Sequence, residues 1–230
     1  LANHYANNGK RVLVYDHYGR GYSDRPKAKQ DKVFFINQLN ELLNKLEIKE
    51  QKFELVGYSM GGSIAAAYAA HNPGRLNKLI LIASAGAGHN LGVSAKVAKI
   101  PFIGWVLFSI FFGLQHARST KIDTGFKSSV PKVVERQLNE LRYRGFVPSV
   151  LASIKGILSN DNYDDHKALR DANFEILAFW GDCDTVVPIS SKEVLSSWNS
   201  RINNIVIRDG SHSLPFSHTK EITDAINLIG

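Results

Sequence analysis

The chain of 230 residues holds a single cysteine, Cys183. That count excludes any internal disulfide and any zinc site built from several cysteines. It gives no support for an oxidising compartment, which leaves the cytoplasm as the favoured setting. Long apolar runs are also missing. The uncharged stretch from Ile100 to Leu114 contains Pro101, Gly104 and Gly113, and it falls short of the ~20 residues a helix needs to cross a bilayer. There is no internal repeat, no low-complexity tract and no glycine loop with the Lys-Ser/Thr pair that cradles a phosphate. The initiating methionine is absent too. Leu1 opens a segment that reads as the end of a helix stopped at Gly9, so a chain that begins part-way through a longer protein is expected.

Positive charge is in excess, with 28 Lys and Arg against 21 Asp and Glu, a formal net charge of +7. It is dispersed. Lys45 to Lys52 and the stretch from Lys192 onward interleave both signs, which describes a solvated basic surface better than a stripe for nucleic acid. No nucleic-acid partner is therefore expected.

What the chain does have is the composition of a soluble globular protein, 44% hydrophobic and 21% charged. Arg11 to Tyr15, Phe53 to Val56, Leu79 to Ile82, Ile176 to Trp180 and Ile205 to Ile207 are short apolar runs bounded by Gly, Asp, Asn or Ser. Such runs predict strands buried on both faces of a parallel sheet. Between the first two, Phe34, Phe35, Leu39, Leu42, Leu43 and Leu46 fall at helical spacing. Strand alternating with helix predicts an α/β fold, a mostly parallel sheet with helices on both faces. From Ala83 to Phe174 the strand rhythm gives way to helical pattern: a stretch through Leu114, a second from Pro131 to Tyr143 and a third from Pro148 to Leu158. The expected division is a core of residues 1–88 and 171–230 with a helical cap, 89–170, inserted in it.

Gly57-Tyr58-Ser59-Met60-Gly61-Gly62 lies where one strand run becomes an alanine-rich helix. A serine hydroxyl is a weak nucleophile and needs exposure, a base, and donors aimed at the oxyanion it creates. A sharp strand-to-helix turn provides the exposure, and it needs glycines where a Cβ would clash. The Met60 amide at the helix N-terminus is the candidate oxyanion donor. The plainer alternative is that Ser59 only caps the helix. Two further features follow in order: Trp180-Gly181-Asp182-Cys183-Asp184 after one strand, and Gly210-Ser211-His212-Ser213 after the next.

Ser, then Asp, then His is the order of the triad in the α/β-hydrolase superfamily. The chain resembles that superfamily, in particular its esterase-like members with a helical cap. Asp16-His17-Tyr18-Gly19-Arg20-Gly21-Tyr22-Ser23 extends the likeness, matching the family's D-x-x-G-x-G-x-S turn. The resemblance implies Ser59 as nucleophile, His212 as general base and then acid, and Asp184 as the carboxylate that orients the imidazole. Asp184 rather than Asp182 fits the family's G-x-x-D-x-x-x-P pattern from Gly181 to Pro188. His218 is a rival to His212 but lies in the run toward the final helix. Cys183 reads as a small loop residue and His17 as structural. No cofactor and no metal is implied.

The family's second oxyanion loop and the strand before it have no counterpart here. That strand would lie between those read at Val12 and Leu55, so roughly 30 to 60 further residues upstream are expected. Phe102, Trp105, Phe108 and Phe112 are spaced by three, three and four. On a helix they share one face, which is the candidate roof of an acyl pocket. Ordinary cap packing and a peripheral membrane contact are the alternatives. The expected activity is hydrolysis of an ester-type bond in a hydrophobic acyl or aromatic substrate. A C–C bond or thioester hydrolase of the same fold, or a non-catalytic ligand-binding relative, are the alternatives. A serine at the elbow argues against haloalkane dehalogenases and epoxide hydrolases, which carry a carboxylate there.

Overall fold

The computed structural model describes residues 1–48, 51–89, 100, 104–122 and 128–229. In chain order its longer elements are α1 (Ala2–Asn7), α2 (Lys32–Lys45), β1 (Phe53–Tyr58), α3 (Met60–His71) and β2 (Leu76–Ile82). Then come α4 (Gly104–Ile122), α5 (Val133–Asn139), α6 (Phe146–Lys155) and α7 (Tyr163–Ala168). The chain closes with β3 (Glu175–Gly181), α8 (Ser190–Trp198), β4 (Asn203–Ile207), α9 (Leu214–Ser217) and α10 (Thr219–Ile229).

The four strands form one parallel sheet in the order β1-β2-β3-β4. Side-chain alternation sends Leu79, Leu81, Ile176, Ala178 and Trp180 to one face, where they pack with Leu39 and Leu43 of α2 and the alanines of α3. Ile80, Ile82, Leu177, Phe179 and Ile207 go to the other face, against Leu214, Ile222 and Ile226. Because both faces are covered, the strands read as continuous apolar runs. Helix α2 starts where the Asp31 carboxylate accepts the Phe34 amide at 3.2 Å, a side-chain N-cap.

One expected strand is not in the ladder. Arg11–Tyr15 has no regular secondary structure and pairs with no strand among the described residues. Tyr15 packs on the core while Val12, Leu13 and Val14 are exposed, Val14 by 74%. An apolar run becomes a strand only when a neighbour takes up its N–H and C=O groups. Instead β1 is the edge of the sheet among the described residues, with Val56 partly exposed. Between β2 and β3 the described residues form only helices and helical turns, and α7 is a helix the sequence pattern did not signal.

Register decides where the loops emerge. Tyr58 pairs with Ile82, Ile82 with Phe179, and Gly181 with Ile207. The carboxyl ends of the strands are therefore aligned, so the segments leaving β1, β3 and β4 begin side by side at one end of the sheet, where open α/β sheets hold their sites.

Candidate active site

Ser59 is the residue between β1 and α3, with φ 52° and ψ −119°. A non-glycine residue there is strained, and the surroundings must hold it in place. Its amide donates to Ile82 O at 3.0 Å, and its carbonyl accepts from Gly62 N at 2.9 Å and Ala85 N at 3.0 Å. Two glycines are required sterically, Gly57 and Gly62, whereas a Cβ on Gly61, expected from the elbow pattern to clash, would meet nothing closer than His17 Nε2 at 3.8 Å. A Cβ on Gly57 would lie 2.3 Å from the Gly61 carbonyl oxygen, and one on Gly62 would lie 2.4 Å from Ser84 Oγ. The Ser59 side chain makes no capping bond to α3. Its Oγ lies 2.9 Å from His212 Nε2 instead.

His212 Nδ1 is in turn 2.8 Å from Asp184 Oδ2. The other oxygen of Asp184 accepts the amides of Val186 and Val187, each at 2.8 Å. The carboxylate is sealed from solvent while the imidazole keeps 21% of its surface exposed. The loops that carry the two residues brace each other. Cys183 N donates to Gly210 O at 2.9 Å, and a Cβ on Gly181 would lie 2.2 Å from that same oxygen. This close crossing brings an acid after β3 to a histidine after β4. With Nδ1–H donating to Asp184, the imidazole has its Nε2 lone pair facing the Ser59 hydroxyl, the arrangement a general base needs. Met60 occupies the first position of α3, where the backbone N–H has no partner inside the helix.

Other residues singled out by the sequence lie apart from this chain of bonds. Asp182 neighbours the exposed Cys183 thiol and pushes its pKa up. His218 Nδ1 is 2.8 Å from Ser217 Oγ. His17 is edge-on to the rings of Tyr15 and Phe35, and burial lowers its pKa from 6.5 to about 4. Of the aromatic stripe, Phe102 lies outside the described residues, and Trp105 is described only as part of α4. Phe108 has 0% of its surface exposed, packed on Leu151 and Ile154 of α6. It thus has no surface to offer a ligand. Phe112 stacks on Phe108 at 4.9 Å between ring centroids and is only partly buried.

Two neighbours of the site carried no clear signal in the sequence. The Tyr58 hydroxyl donates to the His212 carbonyl at 2.8 Å, and its ring lies 5.3 Å from the imidazole. The elbow's first variable position could have pointed to it. Arg20, in the turn after Asp16, comes within 4.0 Å of Met60 Sδ. Among the described residues no cluster of three or more His, Cys, Asp or Glu could hold a metal ion.

The family described as alpha/beta hydrolase fold matches residues 1–219. The chain belongs to that family. It is 27% identical over 235 aligned residues to 2-hydroxymuconate semialdehyde hydrolase of Pseudomonas sp. (strain CF600), covering 94% of this chain and 75% of that one. It is 23% identical over 204 aligned residues to the Homo sapiens monoacylglycerol lipase ABHD6, covering 83% of this chain and 58% of that protein. Among solved structures, bromoperoxidase from Bacillus anthracis superposes with a TM-score of 0.76 at 22% identity, over 98% of this chain and 83% of that one. The esterase from Exiguobacterium antarcticum superposes with a TM-score of 0.72 at 20% identity, over 93% and 79%. At such identities the superpositions speak for the fold.

Proposed function

We propose that this α/β-hydrolase-fold protein is a serine hydrolase that cleaves an ester-type bond of a hydrophobic acyl or aromatic substrate through a covalent acyl-enzyme. The observation that carries the reading is the contact of Ser59 Oγ with His212 Nε2 at 2.9 Å, on an imidazole already held by Asp184. A capping serine would aim its hydroxyl at the helix amides.

In the proposed reaction His212 Nε2 takes the Ser59 proton as Oγ attacks the carbonyl carbon. The oxyanion forms against the Met60 amide, at the positive end of α3. Collapse of the tetrahedral adduct expels the alcohol, which receives the proton from Nε2, and leaves the acyl group on Ser59. A water then repeats the attack with His212 as base, the acid leaves, and the hydroxyl is restored. Asp184 keeps the imidazole in the right tautomer and stabilises its charged form. The uncharged, aromatic-rich stretch from Gly104 to Leu114 supports a hydrophobic substrate.

A second reading is favoured by the relative with the longest described alignment, whose name is 2-hydroxymuconate semialdehyde hydrolase. There the same triad would cleave a carbon–carbon bond beside a carbonyl. The decisive experiment is labelling with a fluorophosphonate followed by peptide mapping, then turnover of p-nitrophenyl esters against a ring-cleavage dienone. Modification of Ser59 with ester turnover is expected. A folded protein labelled at another serine, or at none, overturns the proposal.

A further inference from the structure

Arg20 is a cation set into the junction between the strand-to-helix turn and the inserted helices. Its guanidinium donates to Gly19 O at 3.2 Å and to Ser153 Oγ of α6 at 3.1 Å, and it lies over the Phe146 ring at 5.6 Å. The nitrogen that bonds Ser153 also lies 4.0 Å from Met60 Sδ. Ser153 is fully buried, and its hydroxyl also contacts Gln30 Oε1 at 2.5 Å. These partners are all neutral. Among the described residues no carboxylate forms a salt bridge with Arg20. Glu140, the carboxylate that acts on it at longer range, is occupied by the Gly21 amide, which it accepts at 3.0 Å.

A charge removed from water without a counter-ion is costly. Burial lowers the pKa of this guanidinium from 12.5 to about 10, against the pull of Glu140. Pinning α6 to the core needs only a neutral donor, and a glutamine or histidine would serve. A guanidinium differs in holding a permanent charge and a planar fork of donors that matches a carboxylate. Nη1 and Nη2 carry these bonds, while Nε carries none among the described residues and is not one of the buried unpartnered atoms. The Nε side of the fork is therefore not sealed in the interior. The side chain beside it, Met60, belongs to the residue whose amide faces the reacting carbonyl.

We propose that Arg20 is a specificity determinant that receives a carboxylate carried by the substrate, several atoms away from the scissile carbonyl. The favoured substrates are then monoanionic: half-esters of short dicarboxylic acids, or acyl compounds with a remote carboxylate. This rests on Ser59 being the nucleophile. It adds a polar end to an otherwise apolar substrate. The Arg20 cation offsets the carboxylate charge, and the carboxylate supplies the counter-ion that the folded chain lacks.

The test compares p-nitrophenyl hemiglutarate with p-nitrophenyl valerate, a pair of similar length that differ in the terminal carboxylate, using wild type, Arg20→Met and Arg20→Lys. Arg20→Met is expected to lose about ten- to a hundred-fold in kcat/KM on the hemiglutarate, mostly through KM, the worth of a hydrogen bond to a charged group. Valerate hydrolysis should change much less, and Arg20→Lys should recover part of the loss. Equal losses on both esters would mean that Arg20 only ties α6 to the core, and would overturn the proposal. Binding without turnover is read by calorimetry in the Ser59→Ala protein, titrated with monomethyl glutarate and with dimethyl glutarate. Monoester binding that disappears on adding Arg20→Met supports the site, while absence of monoester binding with Arg20 present overturns it. If the Ser59 assignment is what fails, fluorophosphonate labels another residue while the monoester still binds through Arg20.

Discussion

Leu79 to Ile82 of β2 and Leu177 to Phe179 of β3 are wholly buried, whereas α4 leaves Val106, Phe111 and Leu114 exposed and buries Phe108 completely. The sheet is held by apolar burial on both faces and by ladder bonds. The inserted helices have a small apolar centre of Phe108, Leu151 and Ile154. They meet the rest of the chain through an apolar cluster, where Ile157 packs with Phe35 and Ile64, and through polar contacts. Arg20 bonds Ser153, Asn162 Nδ2 donates to the Ser63 carbonyl at 3.3 Å, and Lys32 pairs with the buried Asp165 at 3.0 Å. The residues of the proposed triad all sit on the first kind of structure, on loops leaving aligned strands. Such a division fixes the proposed chemistry on the rigid part and leaves recognition to the part whose contacts are easier to change.

The largest expected effects come from the sheet side. Ser59→Ala and His212→Ala should each lower kcat by several orders of magnitude, and the double variant should lose little more, because triad members act as a unit. Asp184→Asn should cost about ten-thousand-fold with the fold intact, if a misoriented imidazole is the cause. Asp182→Asn should cost far less, and steady-state kinetics with matched circular dichroism checks all four. A large effect of Asp182 would break the assignment of the acid.

Next comes stability. Leu81→Ala, at the centre of the sheet, should destabilise the protein by about 2–5 kcal/mol in urea unfolding. Leu151→Ala, in the smaller centre of the helices, should fall at the low end of that range or below it, since 8% of its surface is already exposed. Equal costs at the two sites would remove the contrast between the regions.

A smaller effect is expected from pH. His166 in α7 is buried, its Nδ1 has no hydrogen-bond partner, and burial lowers its pKa from 6.5 to about 4. The folded state therefore keeps it neutral where the unfolded chain takes up a proton. Its contribution to stability is intact above pH 6.5 and is lost as pH falls toward about 4. His166→Gln should flatten the decline across that window by roughly 1–3 kcal/mol, measured by unfolding at each pH. His17 should behave in the same way, because its pKa is lowered to about 4 by the same cause. The smallest effect should be that of Cys183→Ser, an exposed loop position, at within about 0.5 kcal/mol and with unchanged turnover.

Much of the site was legible before the fold was known. G-x-S-x-G marked Ser59, although of its two glycines only Gly57 is required by a close contact. Trp180 to Asp184 and Gly210 to His212 were visible as polar loops at the ends of apolar runs. The strand expected at Arg11–Tyr15 did not form, since four apolar residues after an arginine encode a preference for extension, while the neighbouring strand expected beside them is not among the described residues. The aromatic stripe misled in part as well. Helical spacing groups Phe108 with Phe112, but it does not tell which of them faces a ligand and which is packed under α6.

By itself the sequence determined what is local: the alternation of strand and helix, the glycines of the turn and the residue types available for chemistry. Each of these depends on neighbours a few positions apart, so a short window holds the needed physics. Tertiary structure alone decided which groups meet. Ser59 and His212 are 153 positions apart, and His212 and Asp184 are 28 apart. Their contacts follow from strand register and from the crossing of Gly181 with Gly210. Likewise, nothing in the turn from Asp16 to Ser23 shows that Arg20 lies 4.0 Å from Met60 Sδ and 3.1 Å from Ser153 Oγ of α6. That placement arises where the core and the inserted helices meet, and only the folded chain brings those two surfaces together.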